Sequence, residues 1–318
     1  MLEYVITFLL LTALSYLYDK YRSKMNTIDE TENEKLIREY LLTDKYTPDN
    51  KPPVWIYLDN DINSRNWLSF GSRNSRKLNQ PYLNITIRSI INRCNDNFNV
   101  CIINDDSLHK VLPSWSIDMK KLANPTRCHF RQLALMKLLY NYGGMIIPSS
   151  YLALKDLDSM YYENISDTGC FTAKLPSNSI LSNISNSQPS IYFMGCEKQN
   201  TIVKELCQEL ELLNTTDYTN DRDFNGNIER LLNKYIMNKK LTLISGKYIG
   251  VTDKYDEPIT INELLSTYPI EFIDKLQGIY IPKDEILKRS KYQWFSKLNE
   301  NQIYSGETNL SKYMLLSN

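Results

Sequence analysis

The sequence has no charge excess. Lysine plus arginine and aspartate plus glutamate each number 37, so the formal net charge is zero. Broad nucleic-acid binding needs a basic excess or a basic stripe, and neither is present. There is no CxxC pair among Cys94, Cys101, Cys128, Cys170, Cys196 and Cys207. That spacing argues against a zinc or redox motif and leaves small buried hydrophobes as the reading. Histidine is limited to His109 and His129, and glycine to ten residues. His109 reads as a surface residue, and His129 carries no assigned role. No internal repeat is found, so a solenoid or propeller is not expected. Tyrosine is abundant at 23, and asparagine and isoleucine are frequent, as in proteins of AT-rich genomes. The sequons at Asn84, Asn164, Asn183, Asn214 and Asn309 carry no weight in so asparagine-rich a chain.

The one long apolar run is Leu2 to Tyr18, with tyrosines near both ends and Asp19-Lys20-Tyr21-Arg22-Ser23-Lys24 after it. At 17 residues it is at the short limit for a spanning helix. It is read as an uncleaved single-pass membrane anchor, over a signal peptide or an amphipathic helix. The basic residues follow the run, which by the positive-inside tendency puts the main domain on the cytosolic side. Residues 1–24 form the anchor and 25–53 a stem or linker with a short helix at Thr31 to Leu42. Pro48, Pro52 and Pro53 mark the linker's end, and residues 54–318 form one α/β domain.

Val54 to Leu58 and Phe98 to Ile103 read as strands, with a helix at Pro81 to Cys94 between them. Asn124-Pro125 opens a helix whose apolar positions Phe130, Leu133, Ala134, Leu138 and Tyr142 keep helical spacing. Gly143-Gly144 ends it, and Met145-Ile146-Ile147 is a short strand stopped by Pro148. Later strands are expected at Cys170 to Lys174, Ser190 to Met194, Leu241 to Val251 and Leu276 to Pro282. Helices are expected at Thr201 to Leu213, Asn225 to Met237, Ile259 to Thr267 and Lys283 to Leu298. The C-terminal part is expected to pack on the same sheet. Strands separated by helices predict a mixed, mostly parallel sheet.

Arg127 and Arg131 share a helix face in the first two turns, where cations oppose the helix dipole. Either their tips are solvated, or they meet an anion together with the helix N-terminus. Asp59, Asp61, Asp105 and Ser149 fall at the carboxyl ends of strands, where ligands of open α/β sheets lie. Asp59-Asn60-Asp61 also reads as a plain polar turn, and Asp106 as a cap for the helix after it.

The run Leu139-Tyr140-Asn141-Tyr142-Gly143-Gly144-Met145-Ile146-Ile147-Pro148-Ser149-Ser150 resembles the core of the glycosyltransferases whose sugar-binding region contains a DXD motif. In that family a Tyr-Gly-Gly turn and a hydrophobic strand deliver an Asp-X-Asp that holds a divalent metal against a nucleotide-sugar diphosphate. The looser correspondence of element order extends from about Val54 to Cys207. The resemblance implies a GT-A-like fold and transfer of a sugar from a nucleotide sugar to a glycan or protein hydroxyl. With it, the expected substrate site takes in Tyr142, Gly143, Gly144, Ser149 and Ser150 beside Arg127, Arg131, Asp59 and Asp105 read above. Mn2+ or Mg2+ is the family's cofactor, yet Pro148-Ser149-Ser150 replaces the carboxylates. Asp59, Asp61 and Asp105 are the alternative metal ligands. The other reading is a catalytically inactive member of that fold, acting as a membrane-associated binding or structural module.

Overall fold

The computed structural model describes residues 4, 12–15, 17, 32–44, 46–47, 50–59, 80–177, 187–215 and 221–317. The chain divides into two units, Met1–Glu39 and Tyr40–Asn318. Most of the apolar run Leu2 to Tyr18 lies outside the described residues, as does Asp61. Among the described residues, no helix is long and apolar enough to cross a membrane. Helix α1 (Glu32–Tyr40) has Glu32 and Glu34 in its first turn and Arg38 in its last, the polarity its dipole favours.

The larger unit is mixed α/β. In chain order it has β1 (Pro53–Tyr57), α2 (Tyr82–Cys94), β2 (Asn99–Ile103), α3 (Leu108–Val111), α4 (Thr126–Tyr142), β3 (Gly144–Pro148) and β4 (Tyr151–Ala153). Then follow α5 (Asp158–Ile165), β5 (Cys170–Pro176), β6 (Ser187–Cys196), α6 (Thr201–Asn214), α7 (Asp221–Met237) and β7 (Thr242–Ile244). The last elements are α8 (Ile261–Leu264), β8 (Gly278–Tyr280), α9 (Lys283–Lys288), α10 (Glu300–Tyr304) and α11 (Asn309–Leu316).

Six strands form the central sheet in the order β2-β1-β3-β6-β5-β7. β1 pairs in parallel with β2 and β3, and β7 in parallel with β5, while β6 runs antiparallel between β3 and β5. The register puts Tyr57 level with Ile103 and with Pro148, so three parallel strands end side by side. The chain leaves β1 for β2 on one side and returns to β3 on the other. Their carboxyl ends are therefore a topological switch point, where open α/β sheets leave a crevice.

Helix α4 is buried on most sides. Leu133, Ala134, Leu135, Met136, Leu138 and Leu139 all join the core with Trp55, Ile146, Met194 and Leu206. Each of the leucine and methionine side chains is worth about 1.5–3 kcal/mol relative to exposure. Its start differs from expectation. Asn124 does not cap it, because the carbonyls of Ala123 and Pro125 already accept from the N–H groups of Arg127, Cys128 and His129. Its end is the glycine turn. Gly143 and Gly144 take φ of 71° and 82°, and a Cβ on Gly144 would stand 2.0 Å from the Pro53 carbonyl oxygen. Trp55 Nε1 donates to the Gly143 carbonyl at 3.1 Å, which ties the turn to β1.

Two expectations about the periphery are corrected. β8 does not extend the main sheet. It pairs antiparallel with β4, because the chain turns out of β3 at Ser149-Ser150 and starts a second, two-stranded sheet. Over that sheet Tyr82, Ile85, Leu152, Ile279, Ile286, Phe295 and Met314 form a second core. Leu42 N–H donates to Ile102 O at 2.9 Å, and the Tyr46 ring packs edge-on to Trp55 and Tyr142. The helix expected from Lys283 to Leu298 stops at Lys288. Cys94, Cys101, Cys170, Cys196 and Cys207 are buried thiols, as the sequence suggested. Burial pushes Cys94 and Cys101 up to about 12, away from thiolate chemistry.

Candidate functional site

The carboxyl ends of β1, β2 and β3 carry one ionic cluster. β1 pairs one residue beyond its end through Leu58 N–H to Ile103 O at 2.8 Å, and delivers Asp59. β2 delivers Asp105 on a rigid turn. Asn104 N–H donates to Ser107 Oγ at 2.9 Å, and Ser107 N–H to Asn104 Oδ1 at 3.0 Å. Those reciprocal bonds occupy Ser107, while Asp106 pairs outward with Lys120 at 2.8 Å instead of capping α3.

Between the two carboxylates lies the buried Arg131 of α4. Its Nε and Nη2 donate to Asp105 Oδ1 and Oδ2 at 3.1 and 2.7 Å, a bidentate pair. Its Nη1 donates to Asp59 Oδ1 at 3.0 Å. The Tyr57 hydroxyl donates to Asp105, and the Arg131 guanidinium sits over the Tyr57 ring. Burial pushes the Asp105 carboxyl up, but the hydrogen bonds from Arg131 and Tyr57 and the guanidinium charge outweigh it. The net shift is below the ordinary carboxylate value. Burial and the bond to Asp105 hold the Tyr57 phenol protonated well beyond its usual range.

The second cation comes from far along the chain. Lys283 Nζ lies 2.8 Å from Asp59 Oδ2 and 3.4 Å from Ser149 Oγ. Its backbone is placed by β8, whose continuation gives Ile281 N–H to Ser150 O at 3.0 Å. Ser149 is buried, and Thr86 Oγ1 fixes its carbonyl at 2.6 Å. The Ser150 Oγ is buried with no hydrogen-bond partner among the described residues. Lys283 beside Ser149 is not a nucleophile–base pair. Its Nζ is engaged by the Asp59 carboxylate, nearer than the Ser149 hydroxyl.

The residues singled out from sequence fall in two places. Asp59, Asp105, Arg131, Ser149 and Ser150 come together. Tyr142, Gly143 and Gly144 do not: Gly144 opens β3, roughly 16 Å by strand rise from Ser149. There the Tyr142 hydroxyl donates to Val111 O at 2.7 Å, so the trio shapes the turn and stays away from the cluster. Arg127 is spent locally, since Nε and Nη2 both donate to the Leu122 carbonyl at 2.8 and 2.5 Å. Neither arginine is a solvated tip, because backbone and carboxylate acceptors lie within reach of both.

Sequence reasoning did not single out Tyr57, Lys283 or Tyr192. On β6, the ladder with β3 ends at Ile146 and Met194, and Tyr192 lies two residues beyond it. Ile191 and Phe193 are buried, whereas Tyr192 is 39% exposed. Gln132 is held by Asn225 at 2.9 Å, next to the His129–Phe224 stack at 3.7 Å.

Among the described residues, which leave out Asp61, this donor set does not suit a divalent metal. Pro148, Ser149 and Ser150 offer no carboxylate, and the oxygens of Asp59 and Asp105 face Arg131 and Lys283. Among the described residues, no three His, Cys, Asp or Glu side chains converge as a metal would need. No model of a known protein family matches this sequence, and no curated protein is significantly similar to it.

Proposed function

We propose that this crevice is a nucleotide-sugar site of the glycosyltransferase kind that works without a divalent cation. The observation that carries the reading is Lys283. Its ammonium stands against Ser149, in the segment where the resembling family holds its metal. A fixed cation there offsets diphosphate charge as a metal would. In the transfer, the acceptor oxygen bonds to the anomeric carbon as the bond to the diphosphate breaks. The diphosphate leaves with the electron pair, and the acceptor hydroxyl gives up its proton. Arg131, held by two carboxylates, adds a rigid positive centre beneath the site. The mixed α/β sheet, with its switch point at Asp59 and Ser149, supports this reading.

The test is thermal stability of the full chain against UDP, GDP and their hexose conjugates in EDTA. A ligand at a hundred times its dissociation constant adds about 2.7 kcal/mol of stability. One nucleotide class raises Tm without manganese, and Lys283→Met weakens that ligand at least tenfold. Binding that needs manganese, or is indifferent to Lys283→Met, refutes the assignment. The second reading, a non-catalytic binding module, is favoured by the pairing of Arg131 with both Asp59 and Asp105. It is supported if no nucleotide or nucleotide sugar shifts Tm.

A further inference from the structure

At the switch point Arg131 pairs with Asp105 and Asp59, and Asp59 pairs in turn with Lys283. Cations and carboxylates are matched one for one, so these ion pairs are formally neutral together. The two cations are not equivalent. The Arg131 side chain is 8% exposed, and its Nε, Nη1 and Nη2 all donate to carboxylates. The Lys283 side chain is 22% exposed, so of the two it is the one a ligand reaches. Its Nζ already stands 2.8 Å from Asp59 Oδ2, and Arg131 Nη1 holds the other oxygen of that carboxylate in place at 3.0 Å. A phosphate oxygen bonded to the same Nζ therefore stands within about 6 Å of a fixed negative charge. Like charges at that distance repel by several times the thermal energy where water is partly excluded.

Resting on the nucleotide-sugar reading, we propose that Asp59 is a specificity determinant that favours the donor over the spent nucleoside diphosphate. The diphosphate of a nucleotide sugar is esterified at both ends. Breaking its bond to the anomeric carbon frees a terminal oxygen whose proton is lost at a pKa of about 6, so the product carries one more negative charge near neutrality. A lone ammonium offsets less of that charge than a divalent metal would, and Asp59 stands beside the ammonium to oppose it. The penalty falls on the product more than on the donor, and the spent nucleotide leaves more readily.

The experiment titrates the full-length chain calorimetrically in EDTA. The probes are UDP, its terminal methyl ester and UDP-glucose, and GDP, its methyl ester and GDP-mannose. The ester has the charge of the donor without its sugar. For the accepted base, ester and sugar conjugate both bind about tenfold tighter than the free diphosphate near pH 8, and Asp59→Asn narrows that gap to within about threefold. A free diphosphate that binds as tightly as its ester overturns the proposal. So does a gap that Asp59→Asn leaves unchanged. The ester comparison needs no variant, so it decides even where Asp59→Asn does not fold. If the ester matches the diphosphate and only the sugar conjugate is tighter, the charge argument fails while the site reading stands. If no probe binds, or Lys283→Met weakens none of them, the nucleotide-sugar reading falls and this proposal with it.

Discussion

Replacing Arg131 with methionine tests the ionic cluster most directly. Methionine keeps much of the length of the side chain but removes the guanidinium. Asp105 then loses a bidentate partner and Asp59 loses one hydrogen bond. Removing one partner of a buried pair costs about 3–5 kcal/mol, because the other charge stays buried. The side chains of Asp59 and Asp105 are 33% and 22% exposed, which favours the lower end, about 3 kcal/mol. For a chain of this size that is a fall in Tm of about 6 °C. Chemical denaturation followed by circular dichroism measures it. The pH dependence has a definite sign. In the wild type the folded pKa of Asp105 is depressed. Its contribution is therefore present above the unfolded value of about 3.9 and is lost as pH falls through the folded one. In Arg131→Met, burial is opposed only by the Tyr57 bond and the more distant Arg127 charge, and pushes Asp105 upward. The variant's penalty is then largest near neutrality and shrinks as pH falls through the raised value. The double variant Arg131→Met/Asp105→Asn recovers part of the loss at pH 7. A loss under about 1 kcal/mol, or one that grows on acidification, would refute the reasoning.

Three further outcomes are expected. Gly144→Ala places a methyl 2.0 Å from the Pro53 carbonyl at a positive φ, and lowers stability by more than about 3 kcal/mol, read from the same denaturation curves. Trp55→Phe leaves the Gly143 carbonyl without its donor and costs about 1–3 kcal/mol by the same measurement. Arg127→Ala leaves nucleotide affinity within twofold in a titration, since its guanidinium donates to the Leu122 carbonyl.

The segment from α4 to β3 was legible because its signals are local. Helical spacing of Leu133, Ala134 and Leu138, the Gly143-Gly144 stop and the Pro148 end act within a few residues. Strand ends with aspartates were legible for the same reason, and Asp59 and Asp105 do lie side by side. The role of Arg131 was only half legible. Its place on the helix could be read from spacing, but its partners sit 72 and 26 residues away, just past β1 and β2.

By itself, then, the sequence determined the α/β alternation, the glycine turn and the absence of carboxylates at Pro148-Ser149-Ser150. Only the tertiary structure decided what replaces them. Lys283 reaches Asp59 across 224 residues because β8 pairs with β4 in a separate sheet and lays Ile281 against Ser150. No spacing within Lys283-Asp284-Glu285 foretells that contact, since strand pairing over such distances is set by which surfaces bury each other. Local propensity carries no record of it.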